Sequence, residues 1–319
     1  MSQLPMREAA RIEDTLTSGH RLCAGCAHPI VGRMIMKAAS KYPTIVTNAT
    51  GCLEVATTIF PYTSWNVPWL HNAFENAAAN ASGIEAAFKA MKRKKKGPLA
   101  KYDRLNVIAY AGDGGTYDIG FQALSGALER GHDFTYVLMD NEAYMNTGIQ
   151  RSGSTPLYSA TSTTPVGSDW KGKPQRRKNM LMIMAAHRIP YIATASLGYI
   201  PDLKRKIKKA ADVTRNGEGL AYIHVHQPCT TGWYFDASKT VEIEKLAVQS
   251  GAFPIVEIDH GEFKINIKPR ELKPINEYLE PQRRFRHVTE EQMEILQKHI
   301  REDWESLLRI EKDGRLPWL

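Results

Sequence analysis

Five short apolar runs, at residues 44–47 (TIVT), 106–111 (NVIAYA), 135–139 (TYVLM), 191–195 (YIATA) and 221–225 (AYIHV), alternate with stretches of helical period near 71–93, 118–130, 176–188 and 200–212. Strand-length runs separated by helices cannot form hairpins, so they predict an α/β fold: a parallel sheet with helices on both faces. The runs are apolar throughout, which suits strands covered on both sides. The 319 residues are enough for one such domain with a large core. Residues 152–178 are poor in apolar side chains and rich in Ser, Thr, Gly and Pro, and read as one long ordered loop or lid. After Trp233 the pattern loosens. A strand-like pair at 253–258 and 263–267 and a helix over 289–310 predict a C-terminal extension, 235–319, packed on the 1–234 binding domain or on a partner subunit.

The second run ends in Gly112-Asp113-Gly114-Gly115, and the third in Asp140-Asn141-Glu142-Ala143. Glycines after a strand let the backbone approach phosphate oxygens, and a following helix presents its positive end. In a βαβ unit the carboxyl ends of both strands lie side by side, where ligands of open sheets bind. Asp113, the Asn141 side chain and the Ala143 carbonyl would then offer oxygens to a hard cation, which takes such ligands at about 2.1 Å. A Gly-Asp-Gly alone is ordinary turn chemistry. With an asparagine one crossover later it predicts a diphosphate-plus-cation site.

Four cysteines are present: Cys23, Cys26, Cys52 and Cys229. Cys23 and Cys26 sit one turn apart in a glycine-containing loop, while Cys52 and Cys229 are isolated. Zinc sites more often use two paired knuckles. One pair plus two single cysteines suits an iron–sulfur cluster assembled from several loops. Zinc binding and ordinary buried thiols are the alternatives on the residues alone.

Net charge is +8, concentrated in 89–101 (KAMKRKKKGPLAK) and 204–209 (KRKIKK). These read as a solvated helix end and a solvated helix face, with docking to an acidic partner as the alternative. No nucleic-acid motif accompanies them. No apolar run approaches the roughly 20 residues that span a bilayer, and no signal segment is visible, so a cytoplasmic location is expected.

Several blocks together resemble the beta subunits of 2-oxoacid:ferredoxin oxidoreductases of the pyruvate:ferredoxin type. They are Gly19-His-Arg-Leu-Cys-Ala-Gly-Cys26, Asn48-Ala-Thr-Gly-Cys52, Pro61-Tyr-Thr-Ser-Trp65, Phe74-Glu-Asn-Ala77, the Gly112–Gly120 block, the Asp140–Gly148 block, Ala185-Ala-His-Arg-Ile-Pro-Tyr191 and Pro228-Cys-Thr-Thr-Gly-Trp233. The likeness spans about residues 19–290. It implies the thiamine-diphosphate-binding fold, with Gly51, Cys52, Gly112, Asp113, Gly114, Gly115, Asn141, Ala143, Tyr144, Met145, Asn146 and Thr147 around the cofactor. It further implies Mg2+ on Asp113, Asn141 and the Ala143 carbonyl, a [4Fe–4S] cluster on Cys23, Cys26, Cys52 and Cys229, and Asn146 facing the substrate carbonyl. Ala27 stands where the family often has Gly, and Thr230 where many members have Pro.

The implied reaction is oxidative decarboxylation of a 2-oxoacid, pyruvate first, with the acyl group passing to coenzyme A and electrons to ferredoxin. Oxalate without coenzyme A, a branched-chain 2-oxoacid or an aryl glyoxylate are alternative substrates. No closely spaced ferredoxin-type cysteine run is present, so further clusters belong to alpha, gamma and delta type subunits. The alpha subunit would also supply the glutamate that activates thiamine. Two readings from other classes are a non-redox thiamine decarboxylase with structural zinc, and a non-enzymatic subunit with a zinc assembly site. His20, His71 and His187 read as structural histidines, although His20 and His71 stand close to the implied site in sequence. Arg21 and Arg33 near the cysteine loop could raise a cluster's potential.

Overall fold

The structure is a computed structural model that describes residues 12–316. Its centre is one eight-stranded sheet with spatial order 69–72 (β2), 44–49 (β1), 106–112 (β3), 135–140 (β4), 221–226 (β6), 191–196 (β5), 255–259 (β7) and 262–267 (β8). Strands β1 (Thr44–Ala49), β3 (Asn106–Gly112), β4 (Thr135–Asp140), β5 (Tyr191–Ser196) and β6 (Ala221–His226) are those predicted from the apolar runs. They are mutually parallel, as is the short edge strand β2 (Trp69–Asn72). Strand β2 corrects the expected helix start at 71. Trp69-Leu-His-Asn72 pairs along the free edge of β1, with Val46 opposite Trp69, and the helix begins only at Ala77.

Alternation along each strand feeds two cores. Val107, Ala109 and Ala111 of β3 face the layer containing α3 (Ala77–Lys94) and α4 (Phe121–Glu129). Ile108 and Tyr110 face α1 (His28–Ala39), the short α2 (Cys52–Thr57) that follows β1, and α6 (Ile200–Arg215). The 176–188 helix is present only as the short α5 (Met180–Ala185), after the loop whose Ser152, Ser154 and Thr155 are fully buried. Helix α6 opens with Pro201 in its first turn and Asp202 toward its positive end, the residues that start helices best.

Residues beyond Trp233 do not stand apart from the sheet. A four-residue helix α7 (Thr230–Trp233) and α8 (Thr240–Gln249) lead to β7 (Ile255–Asp259) and β8 (Glu262–Ile267). Strand β7 pairs antiparallel with β5, and β8 antiparallel with β7. After a single turn α9 (Ile275–Leu279) the chain ends in α10 (Glu290–Asp313), framed by a Thr289/Gln292 capping box and a left-handed Gly314. A third core, around Trp233, Phe253, Tyr278 and Phe285, joins these elements to the carboxyl end of β6. Among the described residues no helix is long and apolar enough to cross a membrane.

The chain runs from β1 outward to β2, then crosses to β3 on the other side of β1. That reversal opens a crevice at the carboxyl ends of β1 and β3, the position where open α/β sheets take ligands.

Candidate functional site

The crevice holds a small cleft. Three strand ends line it: residues 48–53 after β1, 110–115 after β3 and the 139–147 stretch after β4, with His28 and Phe74 at its sides. Every residue singled out for the cofactor lines this cleft, from Gly51 and Cys52 through Gly112 to Gly115, Asn141 and Ala143 to Thr147.

Two glycines are required by close approach. A Cβ on Gly114 would lie 2.2 Å from the Tyr144 ring, and one on Gly115 would lie 2.8 Å from the Phe74 carbonyl. Tyr144 is itself fixed by its hydroxyl, which donates to the Gly114 carbonyl at 3.1 Å. The Asp140–Gly148 block thus closes over the glycine turn. Between the turn and α4 the chain makes one turn of π-helix, Gly114–Asp118, a distortion that recurs at functional sites.

Asp113 is buried at 1% exposure. Burial, then the nearby Asp140 charge, pushes its carboxyl well above the usual range, while a hydrogen bond from the Ser152 hydroxyl opposes them. A buried carboxylate in this state calls for a compensating cation. Its Oδ1 lies 3.1 Å from the end of the Asn141 amide, which lies 2.8 Å from the Ala143 carbonyl. An amide with no cation beside it turns its NH2 into that position and donates to both. With the amide oxygen there, its two separations match the about 3 Å between adjacent octahedral ligands of a cation at about 2.1 Å. The donor set therefore fits a magnesium-sized ion. Among the described residues no three His, Cys, Asp or Glu side chains gather around a single ion position; this set instead joins one carboxylate to an amide and a backbone carbonyl.

Cys52 alone of the four cysteines lines the cleft, and Cys23, Cys26 and Cys229 lie close enough for their charges to act on it. Burial raises the Cys52 thiol, and so do, in order, Cys229, Cys26, Cys23 and Asp113, so this residue feels both the other thiols and the aspartate. Cys26 is pushed up to about 12, by burial first, against a backbone hydrogen bond from His28, and further by Cys229 and Cys23. Burial raises Cys229 also, against backbone hydrogen bonds from Gly232 and Thr231. Cys52 opens α2 and Cys229 precedes α7. The Cys23–Cys26 loop is laced to the segment after Cys229: Thr230 donates to the Ala24 carbonyl at 3.1 Å and Thr240 to the Gly25 carbonyl at 2.6 Å. Thr230 thus adds a tie between two cysteine loops. A Cβ on Gly25 would collide with the Ala237 backbone. Four free cysteines drawn from three segments are a donor set that an iron–sulfur cluster takes.

Beneath the strand ends lies a support that the sequence did not reveal. Ser154 and His224 both bond Asp140 Oδ2, at 2.5 and 2.7 Å. Burial opposes ionisation of Glu142, but Arg284, His226 and Arg177 hold its carboxyl well below the usual range. Arg284, from the turn before α10, lies 3.7 Å over the Trp233 ring. The Trp233 indole donates to the Asn141 carbonyl at 3.0 Å. The loop at 152–178 therefore begins as a buried strut rather than a lid, through Ser152, Ser154 and Thr155. The run of small hydroxyl residues was its only signal.

Asn146 is exposed in the cleft wall and makes no hydrogen bond among the described residues. His71 lies on β2, its Nε2 2.8 Å from the Thr50 hydroxyl. His187 bonds Ser125 and the Ile183 carbonyl, a structural role away from the cleft. Burial, then the Arg33 charge, lowers His20. His28, which sequence reading passed over, lines the cleft and places Nδ1 3.5 Å from the Cys26 sulfur. Burial depresses its pKa to about 4, so the ring is neutral.

This sheet, cleft and glycine–aspartate–asparagine set define a thiamine-diphosphate-binding enzyme, and a profile described as "Thiamine pyrophosphate enzyme, C-terminal TPP binding domain" matches residues 49–225. The chain is 59% identical to pyruvate synthase subunit PorB of Methanocaldococcus jannaschii over 290 residues, covering 91% of this chain and 95% of that one. It is 48% identical to the Thermotoga maritima subunit of the same name, over 96% and 95% of the two chains. Ketoisovalerate oxidoreductase subunit VorB of Pyrococcus furiosus is 45% identical, over 93% and 94%. Among solved structures, 2-oxoglutarate:ferredoxin oxidoreductase from Magnetococcus marinus shares the fold at 21% identity and a TM-score of 0.53, over 73% of this chain and 79% of that one. The chain belongs to the family of beta subunits of thiamine-diphosphate-dependent 2-oxoacid:ferredoxin oxidoreductases, of the pyruvate synthase type.

Proposed function

We propose that the chain is the cluster-bearing half of a thiamine site that decarboxylates pyruvate oxidatively and releases CO2. Asp113, the Asn141 side chain and the Ala143 carbonyl hold Mg2+ against the diphosphate, and Cys23, Cys26, Cys52 and Cys229 hold a [4Fe–4S] cluster. The observation that carries this reading is the double position of Cys52, which lines the thiamine cleft and is raised by the other three cysteines and by Asp113.

Thiamine diphosphate, when bound, supplies the carbanion chemistry that lets CO2 leave a 2-oxoacid. This chain's residues do the rest of the local work. Gly114 and Gly115 admit the diphosphate, and Tyr144 with Phe74 closes the cleft around them. Asn146, free on the cleft wall, donates to the oxygen that gains negative charge. A cluster held by the four cysteines would supply one-electron transfer toward ferredoxin, and coenzyme A would take the acyl group. The activating glutamate and the outer clusters come from alpha, gamma and delta type subunits of one cytoplasmic complex.

Pyruvate leads because the relatives named for pyruvate synthase reach 59% identity, whereas those named for ketoisovalerate stand at 45%. The test has two parts. The chain purified without oxygen should be brown and contain iron; a colourless protein holding zinc would overturn the cluster. The complete complex should reduce ferredoxin with pyruvate and coenzyme A; turnover of 2-ketoisovalerate in preference, or of oxalate without coenzyme A, would overturn the substrate.

A further inference from the structure

His28 is the first residue of α1, held there by Ala27 before it and Pro29 after it. It comes two residues after Cys26, at the point where the cysteine loop turns into a helix. At 4% exposure the ring has no freedom to swing away. One edge lines the thiamine cleft, and Nδ1 stands 3.5 Å from the Cys26 sulfur, a normal separation for a hydrogen bond to sulfur. A metal-bound thiolate has no proton to offer, so the hydrogen in this contact belongs to Nδ1. Backbone donors also reach the cysteines, as Gly232 reaches Cys229 at 3.2 Å. Among the described residues His28 is the side chain bonded to a cysteine sulfur in this way.

We propose that His28 is a redox-positioning residue: its Nδ1–H donates to the Cys26 sulfur and raises the potential of the cluster. The inference rests on the cysteines being cluster ligands. A hydrogen bond to a ligand sulfur is strengthened when the cluster gains negative charge, so it favours the reduced form. One electron arrives, no bond forms or breaks, and the proton stays on Nδ1. The effect should be largest at Cys26, the thiol closest to this helix start.

The full-length chain, loaded with iron and sulfide without oxygen, provides the test. Redox titration followed by electron paramagnetic resonance should give His28→Leu a more negative cluster potential than the wild type, so that at a fixed solution potential the reduced-to-oxidised ratio falls severalfold. His28→Asn places an amide N–H near the Nδ1 position and should recover most of that loss. A His28→Leu cluster at the wild-type potential would overturn the role of His28 while leaving the ligand reading intact. A wild-type chain that takes up no cluster would overturn both. Should His28→Leu not fold, wild-type protein labelled with 15N-histidine decides the matter. Pulsed resonance on its reduced cluster should detect a coupled 15N that His28→Asn removes, and the absence of that coupling in the wild type would overturn the proposal.

Discussion

At the scale of single residues the diphosphate site shows what a buried charge is for. Asp113 has a carboxyl raised by burial and by Asp140, a condition that costs stability and that the proposed cation would relieve. Asp113→Asn should therefore leave the cofactor-free chain at least as stable as the wild type. It should also abolish the thermal stabilisation by Mg2+ and thiamine diphosphate, worth about 2.7 kcal/mol in the wild type at about 100 times Kd. A melting-temperature titration reads both, and a retained cofactor shift in Asp113→Asn would refute the assignment. This residue was legible because a glycine turn and an aspartate adjoin in sequence. Arg284 was not: it meets Glu142 across 142 positions, and nothing local distinguishes it from the arginines beside it. His28 fell between these cases. It stands in plain view two residues from Cys26, but only the direction taken by α1 brings its ring onto the sulfur.

At the scale of elements, the basic run of α6 changed meaning once its neighbours were known. Charge pattern predicted a solvated face. Instead Lys206 is fully buried, donating to the Thr194 carbonyl at 2.8 Å and pairing with Asp202 at 2.7 Å. Arg205 and Lys209 both grip Glu257 of β7, at 2.8 and 2.9 Å. The run fastens the C-terminal hairpin to the sheet, a pairing hidden from sequence because its carboxylates lie some 50 residues downstream. By contrast, the run ending α3 is exposed. It lies at the amino ends of the strands, opposite the cleft, so it is remote from the cysteines. Burial opposes ionisation of Glu257, yet Lys209 and Arg205 bring its pKa down to about 2, from an ordinary value of 4.5. A lowered folded-state pKa means stability that is complete above about pH 4.5 and lost as the pH falls toward 2. The melting temperature of Glu257→Gln should therefore lie below that of the wild type near neutrality, and the gap should narrow between about pH 5 and about pH 3. A gap that holds constant through this range would show that the clamp is not ionic.

Across the whole molecule, the cleft is tied to the segment that follows Cys229. Trp233 ends the helix that follows Cys229, and its indole holds the Asn141 carbonyl from behind. Trp233→Phe keeps the ring under Arg284 but leaves that buried carbonyl unsatisfied, at a cost of about 1–3 kcal/mol. It should lower the melting temperature accordingly and weaken cofactor binding, read by thermal denaturation and by cofactor titration. Unchanged values in both would dissolve the link. Strand alternation made the sheet readable, since each strand carries its own evidence; this link spans three distant segments and exists only after folding. The ties from Thr230 to Ala24 and from Thr240 to Gly25 carry a consequence for the protein's making. The hydroxyl of Thr230 and the carbonyl it meets are separated by 206 positions. A ribosome has translated the N-terminal cysteine pair and Cys52 long before Cys229 exists, so these three thiols wait, unmatched and oxidisable, through most of synthesis. Under the proposed ligation, loading with iron would be a late event in the life of each chain, and a protein cut short before residue 229 would lack the fourth ligand.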